Sequence, residues 1–261
     1  MEEKINYKKS LGQNFLFDVN LLRAIVKDGL VGVNDTVLEI GAGAGTLTNE
    51  LCKVAKKVVS FEIDKSLKPR LDEIQKQNPN LELRFGDFMD FDLNKFDEPN
   101  ARVVANIPYY ITTPIIFKLV EHIEKFKSIL VLIQKEVAER FCASPNSKEY
   151  GITSVILQSV FDVSIPRIVK KECFTPSPKI DSALCLLVPN CKYKISNFDG
   201  FKNLIHQAFA MRRKTLINNL KNFYDKQKIE NAILTLNYPL TVRPEQISME
   251  NFVKLFEILN K

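Results

Sequence analysis

Three glycines at alternating positions follow a short apolar run near the start of the chain. Gly41, Gly43 and Gly45 come directly after residues 37–40. Glycines in such a turn let the backbone approach a ligand that a side chain would exclude. Thr46 stands where a dinucleotide-binding fingerprint has its last Gly or Ala, and the Gly-Lys-Ser/Thr of a phosphate loop is missing. The loop therefore favours a nucleoside ligand without a pyrophosphate.

Three polar residues stand at the ends of later apolar runs. Glu62 lies 21 residues after Gly41, a position from which a carboxylate can accept both hydroxyls of a ribose. Asp87 and Asn106 follow the next two runs. Taken singly, each carboxylate is better explained by a solvated loop or a helix cap. Because the ligand crevice of an open parallel sheet lies beyond the carboxyl ends of its strands, the three together indicate one binding site.

The tetrapeptide Asn-Ile-Pro-Tyr at residues 106–109 resembles the motif of enzymes that methylate the exocyclic amine of adenine. That amine is a poor nucleophile because its lone pair is delocalised into the ring. The side-chain oxygen of Asn106 and a backbone carbonyl beside it can accept the two amine hydrogens, which favours a nitrogen with an available lone pair. Tyr109 offers a ring for stacking the base, and Phe174, followed closely by two prolines, can clamp the other face. The alternatives are a strand-ending turn for the tetrapeptide and a core aromatic for Phe174.

Short apolar runs alternate with helical spacing along most of the chain and predict the elements that hold these residues. Strands are predicted at 37–40, 57–63, 81–86, 102–105, 129–133 and 183–188, and helical segments at 67–74, 201–220, 226–236 and 248–259. After Pro189 the pattern is helical only. We therefore predict an α/β fold: a mostly parallel, doubly wound sheet with helices on both faces over residues 1–189, and a small all-helical domain over residues 190–261.

The chain has 261 residues, of which 45% are hydrophobic and 26% charged, so it can bury a large core. Its net charge of +6 lies entirely in the predicted helical domain: residues 1–189 hold 25 basic and 25 acidic side chains, and residues 190–261 hold 12 and 6. The five cysteines form no C-x-x-C pair, and with only two histidines beside them we predict no metal site. No signal peptide or membrane span is evident. These features predict a soluble, cytoplasmic protein with a polyanionic partner and no membrane association.

Five segments give a wider resemblance, to the KsgA-type family of bacterial small-subunit (16S) ribosomal RNA adenine dimethyltransferases. They are residues 11–16 (LGQNFL), 39–48 (EIGAGAGTLT), 134–151 (QKEVAERFCASPNSKEYG), 174–183 (FTPSPKIDSA) and 208–220 (AFAMRRKTLINNL). The resemblance implies a Rossmann-like class I methyltransferase domain that uses S-adenosylmethionine, with a helical domain that helps seat the enzyme on an immature small ribosomal subunit. The implied reaction adds two methyl groups to each of two adjacent adenosines near the 3′ end of the small-subunit RNA.

The resemblance also implies roles for single residues. Positions that match the family's cofactor-binding residues are Asn14, Leu16, Gly41, Glu62, Asp87 and Asn106. Glu62 would hold the ribose of S-adenosylmethionine, and Asp87 would hold the amino group of its adenine. The residues that would face the target base are Asn106, Tyr109 and Phe174. Tyr110 departs from the pattern, because an asparagine often follows the tetrapeptide, and this puts fine substrate tolerance in question.

The basic run Arg212, Arg213 and Lys214 lies in the segment that carries the net charge. We predict that it contacts RNA phosphates, and its other explanation is a solvated helix face. Two other functions stay open. One is a resistance methyltransferase that modifies a large-subunit adenine, although residues 148–151, 181–182 and 212–214 resemble the housekeeping branch. The other is an RNA-binding assembly or transcription factor that has lost activity, although its strand-end residues are intact. We expect a monomer.

Overall fold

The structure is a computed structural model that describes residues 7–8 and 11–260. The chain divides into two compact units. The first consists of Met1–Ala138 and Ser164–Pro189, and the second of Glu139–Val163 and Asn190–Lys261. A boundary therefore falls after Pro189, where the helical pattern begins. Residues 139–163, which the sequence analysis placed in the first domain, belong instead to the second unit.

Nine strands in the described residues form two sheets. The strands are β1 (Phe15–Leu16), β2 (Thr36–Ile40), β3 (Lys57–Glu62), β4 (Leu81–Phe85), β5 (Ala101–Asn106), β6 (Phe126–Gln134), β7 (Phe161–Val169), β8 (Phe174–Thr175) and β9 (Ser182–Pro189). Seven of them form one sheet in the order β4-β3-β2-β5-β6-β9-β7, and β1 pairs with β8 in a separate antiparallel ribbon. The four pairs from β4 to β6 are parallel, and β6 and β9 are antiparallel.

Ten α-helices accompany these strands in the described part of the chain. They are α1 (Val19–Asp28), α2 (Thr46–Cys52), α3 (Lys68–Gln77), α4 (Thr112–Val120), α5 (Lys135–Phe141), α6 (Ile152–Val160), α7 (Phe198–Ala208), α8 (Leu216–Leu220), α9 (Lys226–Thr235) and α10 (Met249–Leu259). Side-chain caps start several of them: Asp18 accepts hydrogen bonds from the backbone at the start of α1, and Ser248 does the same for α10. None of the helices in the described residues is long and apolar enough to cross a membrane.

The predicted fold class is confirmed, because a mostly parallel sheet is flanked by helices. All six predicted strands are present, within a few residues of the predicted ends. Strand β7, whose interior carries Pro166, was not predicted. A proline argues against a strand in the middle of a sheet, and β7 lies at the sheet edge, where a missing N–H group is tolerated.

The second unit is built around aromatic side chains on its helices. Phe201 of α7 packs edge-on against Phe256 of α10, with ring centroids 5.7 Å apart. Helix α6 contacts both α7 and α10, so its apolar residues find their partners here, which explains why residues 139–163 join this unit. The helical pattern predicted over 201–220 is interrupted between α7 and α8.

Candidate active site

A crevice that is open to solvent lies at the carboxyl ends of β2, β3, β4 and β5 in the first unit. Of the residues predicted to bind the cofactor or the target base, those that line it are Asn14, Leu16, Gly41, Glu62, Asp87, Asn106 and Tyr109. The strand-end residues are thus brought together, as expected for neighbouring parallel strands.

The glycine loop forms the floor of this crevice. Gly41, Gly43 and Gly45 all have positive φ angles, of 84°, 56° and 75°, a backbone conformation that glycine adopts without strain. A Cβ atom at Gly43 would lie only 2.8 Å from a ring carbon of Phe15. The loop therefore requires glycine for its path, and at Gly41 and Gly43 it presents only backbone to the crevice.

Glu62 is 6% exposed at the end of β3. Its Oε2 atom accepts a hydrogen bond of 2.7 Å from the N–H of Gly43, and its Oε1 atom accepts one of 2.7 Å from the N–H of Asp64. Burial raises the pKa of Glu62, and these backbone donors lower it only in part. Because an ionised carboxylate offers about four lone-pair sites, both oxygens can still accept ligand hydroxyls.

Asp87 follows β4 and is partly buried. Its Oδ1 atom accepts a 2.8 Å hydrogen bond from the N–H of Met89, which caps a short 3₁₀ turn. Lys118 of α4 holds the same turn from the other side, because its Nζ atom donates to the carbonyl oxygens of Phe88 at 3.0 Å and Met89 at 2.6 Å. One carboxylate oxygen of Asp87 is thus fixed by the turn, and the other has no hydrogen-bond partner among the described residues.

Asn106 ends β5 with its amide in a defined orientation. The Nδ2 atom donates to the carbonyl oxygen of Asn14 at 3.0 Å, so the side-chain oxygen is left to accept hydrogen bonds in the crevice. Tyr109 follows in a 3₁₀ turn, and its hydroxyl bonds Ser182 Oγ at 2.6 Å. Burial raises the pKa of Tyr109, which keeps that hydroxyl protonated. The tetrapeptide therefore presents one amide oxygen and one fixed ring.

The structure does not bring Phe174 to the crevice. Phe174 is 4% exposed and belongs to a hydrophobic cluster with Leu16, Val169 and Leu184. Its strand β8 pairs with β1, and this register sets Phe174 opposite Leu16. Its ring packs in the core, which was the alternative open from the sequence, and the role of Phe174 at the target base stays a prediction.

Three residues of this region were not singled out as site residues by the sequence analysis. Tyr110 was noted only as a departure from the family pattern, yet it is 65% exposed at the crevice, and its ring packs near Gly12. Gln13 lines the same wall. Asp64 lies behind this wall, and its Oδ2 atom accepts a 2.8 Å hydrogen bond from Gln13 Nε2. Only their positions in the sequence could have pointed to them: Tyr110 follows the tetrapeptide, Gln13 lies in the N-terminal motif, and Asp64 lies two residues after Glu62.

Among the residues that the structure describes, the charged side chains that line the crevice are all negative. The lining residues include Glu62 and Asp87, and none of them is a lysine, arginine or histidine. Behind the glycine loop lies a further carboxyl group, Glu39, which is fully buried and accepts hydrogen bonds from Thr48 and Ser60 through one oxygen. Burial raises the pKa of Glu39 to about 7, although the two hydroxyls oppose this. The lining suits a cation and disfavours a pyrophosphate.

The predicted RNA-binding run lies in the second unit, between α7 and α8. The side chains of Arg213 and Lys214 are exposed and form no hydrogen bond or ion pair with the described residues. Arg212 differs, because its guanidinium donates to the carbonyl oxygens of Ser147 and Lys148. The run is therefore not uniform: one arginine holds a neighbouring loop of the same unit, and two cations face solvent.

No group of three or more histidine, cysteine, aspartate or glutamate side chains within residues 7–8 and 11–260 has an arrangement that could hold a metal ion.

Comparison with known proteins identifies relatives along almost the whole chain. A family model described as "Ribosomal RNA adenine dimethylase" matches residues 4–261. A protein named ribosomal RNA small subunit methyltransferase A from Clostridium botulinum (strain Loch Maree / Type A3) is 41% identical over 261 residues, which cover 98% of this chain and 95% of that protein. A protein of the same name from Bacillus pumilus (strain SAFR-032) is 41% identical over 269 residues, covering 98% and 92%.

Two solved structures resemble the whole chain. A dimethyladenosine transferase from Plasmodium falciparum has a TM-score of 0.82 and 30% identity, and the match covers 92% of this chain and 95% of that one. The 23S rRNA methyltransferase ErmE has a TM-score of 0.77 and 26% identity, and the match covers 95% and 100%.

Proposed function

Because the chain belongs to the ribosomal RNA adenine dimethylase family, we propose that its crevice is an active site with the cofactor beside Glu62 and the target amine at Asn106. The chain is an S-adenosylmethionine-dependent dimethyltransferase of adenine in small-subunit ribosomal RNA. The proposal extends further to two adjacent adenosines near the 3′ end, in an immature small subunit, and to a monomer that acts in the cytoplasm.

The residues of the crevice fit this cofactor. S-adenosylmethionine is a cationic nucleoside that supplies a methyl group on an activated sulfonium, so no base is needed to activate the donor. The acidic lining matches that charge, and the glycine loop offers backbone where a nucleoside must come close. Glu62 accepts the ribose hydroxyls, and the unbonded oxygen of Asp87 accepts the adenine amino group. Asn14, Leu16 and Gly41 complete the walls.

Asn106 holds the target amine. Its Nδ2 atom is fixed on Asn14, so its Oδ1 atom is positioned to accept one amine hydrogen, and a neighbouring backbone carbonyl, that of Ile107, accepts the other. These two bonds favour a nitrogen with its lone pair free for in-line attack. Tyr109 stacks on the base, with its ring held by Ser182. Tyr110 adds an exposed ring at the rim of the crevice.

The second unit supplies attraction to RNA. The exposed side chains of Arg213 and Lys214 are unpaired among the described residues, and backbone phosphates dominate the affinity of proteins for nucleic acid. Arg212 supports them indirectly, by bonding the loop at residues 147–148. We assign the RNA contacts to the two free cations and a structural role to Arg212.

The orientation of the Asn106 amide is the observation that carries the proposed function. In Asn106→Ala, the rate of adenine dimethylation on unmethylated small subunits should fall by about 100-fold or more, the loss typical of one transition-state hydrogen-bond partner. Affinity for S-adenosylmethionine should change much less, and subunit binding should stay near that of the wild type. Asn94→Ala, at an exposed asparagine of the same unit, is the matched control. Near wild-type dimethylation by the Asn106 variant would refute the assignment.

The choice of RNA is tested separately. The 41% identity to proteins named small subunit methyltransferase, against 26% to the 23S enzyme, supports the small subunit. Undermethylated small and large subunits are each incubated with the enzyme and methyl-labelled cofactor, and the modified bases are mapped. Label in adenines of the large subunit would favour the resistance function. Binding of small subunits without methyl transfer, and without measurable cofactor affinity, would favour an inactive assembly factor.

A further inference from the structure

Asp64 carries a buried negative charge that the proposed reaction does not use. It lies in the turn after β3, and its side chain is only 1% exposed. Its carboxylate accepts four hydrogen bonds: from Lys8 Nζ at 2.6 Å, from Gln13 Nε2 at 2.8 Å, and from the backbone N–H and hydroxyl of Ser66 at 3.0 Å and 2.6 Å. Burial raises the pKa of Asp64, but these bonds outweigh it and lower the pKa to about 2. The group is therefore ionised at any physiological pH.

The four donors serve two different purposes. Ser66 follows Asp64 by two residues, and its bonds cap a local 3₁₀ turn. Lys8 and Gln13 lie more than fifty residues away along the chain, so their bonds tie a distant segment to this turn. The Gln13 amide also accepts a 2.8 Å bond from the N–H of Lys8. Asp64, Gln13 and Lys8 thus form one connected network.

The tied segment is a wall of the crevice. All six residues from 11 to 16 line the crevice, including the cofactor-binding candidates Asn14 and Leu16. On the opposite side of the network, the N–H of Asp64 bonds Glu62 Oε1 at 2.7 Å. Asp64 therefore joins the carboxylate that holds the ribose to the wall that covers it.

We propose that Asp64 is a positioning residue for cofactor retention: its carboxylate fastens the segment of residues 11–16 across the crevice, so that bound S-adenosylmethionine leaves slowly. The proposal rests on the cofactor site described above. Asp64 touches neither the transferred methyl group nor the target base, so the loss of its charge should alter cofactor affinity and dissociation, and not the rate of the chemical step at saturating cofactor.

The test measures cofactor binding to the full-length chain by calorimetry and by stopped-flow displacement. In Asp64→Asn the dissociation rate and Kd should rise about tenfold, as expected when charge-assisted bonds to the segment become weaker neutral ones. The kcat at saturating cofactor should stay within about twofold. The control is Asp72→Asn, which removes the same charge from a partly exposed ion pair with Lys68 on α3 and should change neither quantity.

A double-mutant cycle with Gln13→Met distinguishes fastening from a general loss of stability. If Asp64 acts through Gln13, the double variant should bind the cofactor no more weakly than whichever single variant has the lower cofactor affinity. Unchanged dissociation in a folded Asp64→Asn variant, or fold-changes that simply multiply in the double variant, would overturn the proposal. If Asp64→Asn does not fold, Lys8→Met and Gln13→Met provide the same readout. If Glu62→Gln also leaves cofactor affinity unchanged, the proposed site itself fails; if only Asp64→Asn does so, this inference fails alone.

Discussion

Replacing Glu62 with glutamine should separate cofactor affinity from stability. The substitution keeps the shape of the side chain, removes its charge, and leaves one of the two backbone donors, Gly43 or Asp64, facing an NH₂ group. A hydrogen bond to a charged group contributes about 1.5–3 kcal/mol, so weakening one ribose bond should raise the Kd of S-adenosylmethionine by about 10- to 150-fold.

Stability should change far less, because the pKa of Glu62 is raised. A raised carboxyl pKa means that the folded chain binds the proton more tightly than the unfolded chain, so the ionised carboxylate already destabilises the fold. Glutamine removes that unfavourable charge, which offsets the mismatched backbone donor, itself worth about 1–3 kcal/mol. We expect the melting temperature of the free protein to stay within a few degrees of the wild type.

The assay is titration calorimetry with S-adenosylmethionine, together with thermal unfolding of the free protein. Glu73→Gln is the matched control, because Glu73 is exposed on α3 and pairs only with Lys76 at the surface. A Kd within twofold of the wild type would refute the role of Glu62 in the ribose site. A large drop in melting temperature alongside weaker binding would show that the carboxylate serves the fold more than the ligand.

The remaining predictions concern stability, RNA and the target base. Since burial raises the pKa of Glu39 from 4.5 to about 7, the free energy of unfolding of the wild type should fall as pH rises through this range. Glu39→Gln should flatten that dependence when thermal unfolding is measured at several pH values. A pH dependence as steep as that of the wild type would contradict this prediction. Replacing Arg213 and Lys214 with glutamine should weaken subunit binding, and it should lower the slope of log affinity against log salt concentration by about 0.7–0.9 for each phosphate that is no longer bound. Arg212→Gln should instead lower the melting temperature. Equal effects of the two changes on the salt slope would contradict the division of roles. Tyr110→Ala should raise the KM for the subunit by about 5- to 150-fold, because stacking on a base contributes about 1–3 kcal/mol. The cofactor affinity of this variant should match the wild type, and so should the KM of Tyr110→Phe. An unchanged KM in Tyr110→Ala would exclude Tyr110 from base contact.

The crevice could be predicted because its geometry follows from periodicity. Strand runs in a βαβ pattern must be parallel, so Glu62, Asp87 and Asn106 had to meet at one edge of the sheet. Glycine spacing predicted a turn that brings backbone close to a ligand, and the positive φ angles of the loop are ones that other residues rarely adopt. These inferences depend on local sequence and on one general rule of topology.

The features that were missed depend on contacts between distant residues. The core position of Phe174 follows from a two-residue pairing with Leu16, which is too short to show in a hydrophobic pattern. The interruption after α7 is fixed by the buried Asn219, whose amide bonds both the N–H and the carbonyl oxygen of Met211. Likewise, the apolar residues of α6 do not predict which of the two units this helix packs in. In each case, tertiary contacts override the local pattern.

The acidic lining of the crevice also bears on turnover. Methyl transfer takes the positive charge away from the cofactor, so in the proposed site acidic side chains that attract the sulfonium would hold its neutral thioether product less firmly. Dimethylation of one base requires the cofactor to be exchanged between two transfers. In the described residues the lining holds Glu62 and Asp87 and no cationic side chain. In the proposed site this charge would favour exchange, because it attracts the cationic cofactor more strongly than the neutral product.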